Sequence, residues 1–236
     1  MVNIMLNLSK SVVLILVFFA QIVMARAGEV IIFNDPNLIG FDDGRRVVGM
    51  YDAENEKFSC KFLFLAGDSH DAGSVMDDGY KNIKMLTFLP GEKSMKFPDR
   101  DKFFDVPANL YRRDDEWVIK TDTGQAGCEN DTGTFTFDVN FIGAVHYFEE
   151  KKISALGIRI INRRSTFYDY NDGRFIARKG YLVNRNLVVA LRQVGQFSFV
   201  RFVNPRIDTK NAGQVTTGWV RTENLVNPFP EAVESR

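Results

Sequence analysis

The side chains that most directly suggest chemistry in this chain are its two cysteines, Cys60 and Cys128, and its two histidines, His70 and His146. A cysteine thiolate beside a histidine is the nucleophile of one large class of hydrolases, and such a cysteine usually stands at the start of a helix. Cys60 lies in an apolar run with a strand-like pattern, and Cys128 lies in a glycine-rich loop. Because neither cysteine precedes a helical pattern, the sequence disfavours catalysis by Cys128 and His146.

No other motif in the sequence indicates a metal or a cofactor. The two histidines lack the spacing of a zinc site, and there is no glycine motif of the phosphate-binding type. The acidic pairs Asp77/Asp78 and Asp114/Asp115 fall at predicted turns, where a solvated charge is the ordinary explanation. A glycosidase carboxylate pair stays open, since a sequence does not show which acids meet in space. We therefore expect no metal, no cofactor and no enzymatic activity.

The N-terminus has the layout of a secretory signal. One cation, Lys10, precedes an apolar run from Ser11 to Ala20, and Ala25-Arg26-Ala27 has the small-x-small pattern of a cleavage site. The apolar run is shorter than the roughly 20 residues of a membrane-spanning helix. We expect residues 1–27 to be a cleaved signal peptide and the mature protein to be periplasmic. The alternative is an uncleaved anchor, the only membrane contact that we expect.

Export also predicts the state of the cysteines. In an oxidising compartment an even number of cysteines most simply forms disulfides, so we expect a bond between Cys60 and Cys128. The signal segment carries Lys10 and Arg26 and no acid, so 28 of the 30 basic residues remain against 30 acidic ones, a net charge of −2. This balance argues against nucleic acid as a partner, because nucleic-acid binding rewards a basic surface.

Short runs with alternating or β-branched residues dominate the chain after residue 27. They are separated by FDDGRR, MDDGYK and YNDGRF, which are tight-turn motifs because glycine accepts a positive φ. The runs predicted as strands are FSCKFLFLAG, IKMLTFL, EWVIKT, GTFTFDVNFI, ALGIRII, GYLVNRNLVVALRQ, FSFVRFV and TTGWVRT. Helices are expected only as short pieces, around 53–57 or 71–77. We therefore predict a mainly β fold of the barrel or sandwich type.

The charged stretch YFEEKKISA, from Tyr147 to Ala155, is predicted to be a hinge between two domains. Both cysteines precede it, and a cysteine-free segment with its own strand pattern follows it. The predicted organisation is a signal peptide at 1–27, a β-rich N-terminal domain with one disulfide at 28–152, a small β-barrel at 153–230 and a tail at 231–236.

Three motifs in the C-terminal third resemble the bacterial SH3-like family. They are GYLVNRNLVVAL, GQFSFVRFVNP and the closing GWVRTENL, and the resemblance covers residues 158–226. The chain departs from the family pattern at Asn184 to Asn186, where Gly-Asp is more usual, and it carries extra loop residues 206–214. The resemblance implies a small five- or six-stranded barrel that binds peptides, glycans or partner proteins, with TENL as the short helical turn before the last apolar residues.

The candidate binding residues on this barrel are Tyr168, Tyr170, Trp219 and Arg221. In eukaryotic relatives of the family, a similar aromatic cluster lines a groove for proline-rich peptides. Packing at the rim is the competing explanation for the tyrosines, and we expect Trp219 to be buried in the core. Gly218, directly before it, is expected to let the backbone bend tightly.

A second candidate lies in the N-terminal half, where Gly124, Gly127 and Gly133 bracket Cys128. Glycines in this number let a backbone turn sharply around a disulfide. The alternative is a loop that offers backbone N–H groups to a ligand, and Gln125 of this loop is included among the candidate binding residues.

Together these features predict a non-enzymatic periplasmic binding protein. We expect its partner to be another protein or peptidoglycan, and one specific form is an immunity or inhibitor protein that blocks a toxin or hydrolase. The alternative is a cell-wall hydrolase that uses an SH3-like domain for targeting.

Overall fold

The described part of the chain is mainly β, and its strands form two sheets. The computed structural model describes residues 27–68, 75–77, 79–125, 127–128 and 135–231. The mainly β fold and the single disulfide predicted from the sequence are confirmed. Most of the predicted signal peptide and residues 232–236 of the tail lie outside the described residues. Among the residues described, no helix is both long and apolar enough to cross a membrane.

The first sheet closes into an eight-stranded barrel. The sheet as a whole has nine strands, eight of which form the barrel. The nine strands are β1 (Gly28–Phe33), β2 (Leu38–Asp42), β3 (Arg46–Glu54), β4 (Ser59–Asp68), β5 (Val75–Asp77), β6 (Tyr80–Phe88), β7 (Val106–Arg113), β8 (Glu116–Thr121) and β9 (Tyr147–Ala155). The order is β4-β3-β2-β1-β9-β8-β7-β6, and β4 also pairs with β6, which completes the ring. The short β5 extends β6 outside the ring.

Alternating side chains fill the interior of this barrel. In β4, Phe62 and Phe64 point inwards and are fully buried, whereas Leu63 points outwards. Gly49 of β3 lies beside Phe64, and a methyl group on Gly49 would come within 2.0 Å of the Phe64 ring. A large ring on one strand is thus matched by a residue without a side chain on its neighbour. The barrel interior is therefore a packed core.

The predicted disulfide lies at one end of the barrel. Cys60 and Cys128 are joined, with their Cα atoms 4.3 Å apart and a sequence separation of 68. Gly127 adopts a φ of +82°, and a Cβ there would meet the carbonyl oxygen of Ser59 at 2.0 Å. Gly127 is therefore required by the close approach of its loop to β4, as the structural interpretation of the glycine-rich loop predicts.

The charged stretch predicted as a hinge is a strand of the barrel. β9 pairs with β1 over most of its length and with β8 at its start, so it seals the ring. Its charged side chains are mostly exposed, and its two ends, Tyr147 and Ala155, are buried. The chain changes sheet at Leu156, three residues after the boundary predicted at 152/153, because the last residues of β9 still pair with β1.

The second sheet follows directly. It contains β10 (Gly157–Ile161), β11 (Ser165–Asn171), β12 (Arg174–Leu182), β13 (Leu187–Val194), β14 (Phe197–Val203), β15 (Val215–Arg221) and β16 (Leu225–Val226). Their order is β12-β11-β15-β14-β13-β10-β16. The predicted helical turn is confirmed as a 3₁₀ helix at Thr222–Asn224, immediately before β16. Buried side chains on one face, including Phe167, Val200 and Val220, form the core of this unit.

An apolar layer joins the two units. Outward-facing residues of the barrel, such as Val30 and Ile39, pack against Ile158 and Val189 of the second sheet and against Phe229 near the C-terminus. Since all five are buried, the outside of the barrel and one face of the second sheet share a core.

The extra loop at 206–214 also contacts the barrel. Glu54 donates its backbone N–H to Pro205 and accepts one from Ile207, at 2.9 Å each. The Asp208 carboxylate accepts a hydrogen bond from the backbone N–H of Glu56 at 3.0 Å. The loop that departs from the SH3-like pattern therefore connects the second unit to the β3–β4 hairpin through hydrogen bonds.

The departure at Asn184 to Asn186 has a similar explanation. Arg185 adopts a φ of +71°, a conformation in which glycine is the usual residue. Its guanidinium donates a hydrogen bond to the carbonyl of Pro90 in the barrel at 3.1 Å. Lys61 of β4 donates one to the carbonyl of Arg185 at 3.2 Å. A turn position that favours glycine is thus occupied by a side chain that ties the two units together.

Three local predictions were wrong. GYLVNRNLVVALRQ was predicted as one strand, but β12 ends at Leu182 and β13 begins at Leu187, with a turn between them. GTFTFDVNFI was predicted as a strand, but its described part, 135–142, is irregular, because Val139 packs outside the barrel against Tyr80, Tyr111 and Val118. The short helix expected around 53–57 is the end of β3 and a turn. Of the alternative at 71–77, residues 71–74 lie outside the described residues and the rest is β5. All three turn motifs are confirmed by the positive φ of their glycines, Gly44, Gly79 and Gly173.

Candidate functional site

The register of the second sheet places aromatic and cationic side chains in one row. Tyr168 of β11 pairs with Trp219 of β15, Trp219 pairs with Phe199 of β14, and Phe199 pairs with Arg192 of β13. Directly paired residues of neighbouring strands project from the same face of a sheet. These four side chains from four strands therefore lie side by side.

Neighbouring residues extend this row into a surface, which we call the aromatic face. Tyr170 packs on Phe175 with ring centroids 4.7 Å apart, and Phe175 stacks on Phe197 at 3.8 Å. Phe175 and Phe199 approach the Trp219 ring at 5.5 and 5.3 Å. The six rings of the aromatic face are Tyr168, Tyr170, Phe175, Phe197, Phe199 and Trp219.

The aromatic face lies opposite the core of the second sheet. Val200 and Val220, which alternate with Phe199 and Trp219, belong to the buried core. Tyr170 is 44% exposed, and Phe175, Phe197 and Phe199 are partly exposed. The rings thus pack on one another at a solvent-facing surface and do not close over a core.

Two arginines lie over these rings. The Arg192 guanidinium is 4.9 Å from the centroid of Phe199 and 5.2 Å from that of Trp219, and Arg221 is 5.3 Å from Phe197. Both arginines are exposed. Within the described part of the chain, neither forms an ion pair with a carboxylate. Stacking on aromatic faces orients the guanidiniums and leaves their charges available.

A cavity of about 350 Å³ lies at one border of the aromatic face, lined in part by Tyr168, Tyr170 and Trp219. Arg178 and Asp169 also line it and form an ion pair at 3.6 Å. Arg178 also donates a hydrogen bond to the carbonyl of Thr217 at 2.8 Å. This border therefore carries a neutralised pair, and the free positive charge lies at Arg192 and Arg221.

Trp219 is buried, as the sequence predicts, and its ring contacts are with the aromatic face on the side of the sheet opposite Phe167, Val200 and Val220. It is 5% exposed and is covered on the aromatic face by rings and by Arg192. Gly218 does not make a tight bend: it lies within β15 and pairs with Val200. A Cβ on Gly218 would come within 2.7 Å of the Phe167 ring, so glycine is needed because the core side of the sheet has no room there.

The structure brings four of the five candidate binding residues, Tyr168, Tyr170, Trp219 and Arg221, to one surface. It does not bring Gln125 there. Gln125 is 4% exposed and accepts a hydrogen bond from the Thr87 hydroxyl at 2.9 Å inside the N-terminal unit. Its amide is occupied by this buried contact, which supports a structural role for this part of the loop.

Sequence reasoning missed Phe175, Phe197, Phe199 and Arg192 as members of the surface. The alternation in FSFVRFV places Phe197 and Phe199 on one face of a strand, as the structure shows. The sequence did not reveal the strand register, which brings both rings next to Trp219. Arg192 joins the row only because a bulge between Ala190 and Arg192 shifts the register of β13.

The residues considered for thiol catalysis are engaged elsewhere. Cys128 is part of the disulfide, so it holds no thiolate. The Nδ1 atom of His146 lies 2.5 Å from the buried carboxylate of Glu116, which also accepts a hydrogen bond from Arg113 at 2.7 Å. Among the residues that the structure describes, no group of three or more His, Cys, Asp or Glu side chains is arranged to hold a metal ion.

Glu116 is a buried charge whose partners determine its ionisation. Burial raises the pKa of the carboxyl, but hydrogen bonds from His146, Arg113 and Tyr80 outweigh it and hold the pKa below its ordinary value of 4.5. Since the folded-state pKa is lowered, the stabilisation from Glu116 is present above pH 4.5 and is lost as the pH falls through the folded-state value.

We expect Glu116→Gln to lower the free energy of unfolding at pH 7 by about 1–3 kcal/mol, because it removes charged hydrogen bonds at a buried site. The variant should also lose less stability than the wild type between pH 5 and pH 3, because it lacks the Glu116 carboxylate whose protonation destabilises the wild type. Urea unfolding across this pH range measures both effects. Glu150→Gln, at an exposed position of β9, is the matched control and should resemble the wild type. Equal acid sensitivity in Glu116→Gln and the wild type would refute this assignment.

Comparisons with known proteins gave no match: no family model matches the chain, and no curated protein or solved structure is significantly similar to it.

Proposed function

We propose that this protein is an exported, non-enzymatic binding protein that recognises a partner protein through the aromatic face. The observation that carries the proposal is the assembly of six aromatic rings and two unpaired arginines on the solvent side of the second sheet. None of these side chains is needed to fill the core beneath, which Phe167, Val200 and Val220 already form with their neighbours.

The composition of the aromatic face favours a protein partner. Tyrosine, tryptophan and arginine are the residues most enriched at binding hot spots, because they offer large rigid surfaces with a polar group at the edge. Tyr170, at 44% exposure, still has apolar surface to bury. Arg192 and Arg221 have no carboxylate partner among the described residues, so acidic side chains of a partner would pair with them.

The short helix near the end of the second unit gives limited support to the same view. The second sheet has seven strands, and among the described residues its edge strands β12 and β16 do not pair, which differs from the closed five- or six-stranded barrel that the resemblance implies. The 3₁₀ helix between β15 and β16 is the feature that supports the SH3-like resemblance. Barrels of this kind commonly serve as binding modules, which supports recognition over catalysis. The assignment to that family is part of the proposal.

Export to the periplasm is likewise proposed. The disulfide between Cys60 and Cys128 is the structural feature that supports it, because such bonds persist in oxidising compartments. Under this proposal, the partner is periplasmic, and the specific form that we favour is an inhibitor or immunity protein that covers a toxin or hydrolase. Peptidoglycan as the ligand is the competing outcome of the experiment below. No observation here favours the alternative of a cell-wall hydrolase.

The test uses charge reversal on the aromatic face. Immobilised mature protein is incubated with periplasmic extract and, separately, with purified murein. We expect the wild type to retain a specific protein and Arg192→Glu/Arg221→Glu to retain at least ~30-fold less, because two hot-spot contacts of about 1–2 kcal/mol each are lost. Both arginines are exposed, so the variant should keep the fold.

The matched control is Tyr181→Ser. Tyr181 is 48% exposed and also carries a stacked guanidinium, that of Arg164 at 3.9 Å, but it makes no ring contact with the aromatic face. The Tyr181→Ser variant should therefore bind the partner as well as the wild type does. If the wild type retains murein and no protein, the ligand is peptidoglycan and not a partner protein. If the charge-reversed variant binds as well as the wild type, the aromatic face is not the binding surface.

A further inference from the structure

A second cavity lies where the two units meet. It measures about 280 Å³ and is bordered by the start of β3 and the preceding turn, by the start of β10, and by the C-terminal segment. The residues that determine its chemistry are Phe41, Arg45, Arg46, Gly157, Arg159 and Phe229. It shares no lining residue with the aromatic face.

Arg159 is the central cation of this cavity. Its guanidinium is fixed by hydrogen bonds to the carbonyls of Ile158 at 2.8 Å and Leu156 at 2.9 Å. These acceptors are neutral, and within the described ranges no carboxylate pairs with it. Burial lowers the pKa of the Arg159 guanidinium, because a positive charge loses solvation in the protein interior. An anion in the cavity would compensate that charge.

Gly157 makes this arrangement possible. It adopts a φ of +116°, and a Cβ at this position would come within 2.8 Å of Nη1 of Arg159 and 3.6 Å of the Phe41 ring. The missing side chain therefore provides the space in which the guanidinium lies.

Two further arginines border the cavity. Arg46 donates a hydrogen bond to the carbonyl of Pro230 at 2.5 Å and pairs with Asp43 at 3.4 Å. Arg45 is exposed, and its side chain forms no ion pair among the described residues. Three cations thus face one carboxylate, that of Asp43, and the cavity has a net positive charge.

The remaining walls are apolar. Phe41 and Phe229 are 7% and 6% exposed, and Val48 and Ile158 are also buried. A bare inorganic anion would pair with the arginines and leave these walls unfilled. A ligand that satisfies both parts of the cavity carries an anionic group and a compact apolar body.

We propose that this cavity binds a small organic carboxylate, with the carboxylate on Arg159 and Arg45 and the apolar body between Phe41 and Phe229. The guanidinium fork matches the two oxygens of a carboxylate. A volume of about 280 Å³ admits an aromatic or short aliphatic acid. Because the cavity shares no lining residue with the aromatic face, carboxylate binding in the cavity and partner binding on the aromatic face can each be refuted without affecting the other.

The test is titration calorimetry of the full mature chain with benzoate, octanoate and inorganic phosphate. We expect at least one of the two carboxylates to bind with a Kd of about 1 mM or lower, and phosphate to bind at least ~10-fold more weakly. Arg159→Gln and Arg45→Gln should each weaken carboxylate binding by about 10-fold or more, through the loss of a charged hydrogen bond. Arg174→Gln, at an exposed site away from the cavity, should bind like the wild type.

Arg45→Gln keeps the test decisive if Arg159→Gln fails to fold, because Arg45 is exposed and its side chain supports no buried contact in the described structure. Three results would overturn the proposal: no carboxylate binding by the wild type, carboxylate affinity unchanged in Arg45→Gln, or phosphate binding as tight as that of the carboxylates.

Discussion

Replacement of both cysteines by serine is expected to lower the free energy of unfolding by about 4 kcal/mol, since a bond that closes a loop of this length restricts the unfolded chain to that extent. Cys60 and Cys128 are separated by 68 positions in sequence, and the loop that the bond closes includes most of β4 and the barrel strands β6, β7 and β8. Both cysteines are buried beside Phe62 and Phe135 in the barrel core. A loss of this size is a large part of the 5–15 kcal/mol that typically stabilises a folded protein.

The measurement is guanidinium unfolding of Cys60→Ser/Cys128→Ser against the oxidised wild type. Wild type unfolded in the presence of a reductant is the control, and it should show a similar loss without any substitution. The same midpoint for oxidised and reduced wild type would show that the bond contributes little to stability, and would also weaken the inference of an oxidising compartment.

Truncation of the two tryptophans is expected to affect stability and partner binding to different extents. Trp117→Ala should lower the free energy of unfolding by about 3–5 kcal/mol, as large-to-small changes in cores do. Trp117 is fully buried in the barrel, packs edge-on to Phe33 at 4.9 Å and donates its indole N–H to Glu149 at 2.8 Å. The Glu149 carboxylate is nearly buried, so the variant also deprives a buried charge of a hydrogen bond.

Trp219→Ala should be milder for stability, at about 1–2 kcal/mol, because the rings and the Arg192 side chain that cover the buried indole are themselves partly or fully exposed and can relax. It should nevertheless abolish partner binding, whereas the fraction of Trp117→Ala that folds should still bind. Chemical unfolding and partner capture on both variants provide the comparison. A larger stability loss in Trp219→Ala than in Trp117→Ala would place Trp219 in the core and contradict the assigned surface.

Features that depend on a single residue or on local spacing were predictable from the sequence. Asp-Gly turns require a positive φ, and the sequence shows the glycine directly. The pairing of Cys60 with Cys128 needed only their number and an oxidising compartment. The short helix at Thr222–Asn224 and the opposite orientations of Trp219 and Val220 follow from local pattern.

Features that depend on contacts between distant strands were not predictable. Strands β1, β2, β3 and β7 were not identified, and without them neither barrel closure nor the pairing of β9 with β1 could be derived. Gly218 lacks a side chain because of Phe167, 51 residues earlier in sequence, and not because of a bend. Arg185 occupies a glycine-like turn position because of a contact with Pro90 in the other unit.

The aromatic face is tested most directly by site-specific crosslinking in the exporting cell. A benzoyl-phenylalanine photocrosslinker is placed at Tyr170, on the aromatic face, or at Tyr181, which is similarly exposed outside it. The account predicts a discrete protein adduct from position 170 that disappears when Arg192→Glu/Arg221→Glu is added, and no such adduct from position 181. No adduct at 170, or the same adduct from both positions, would contradict it.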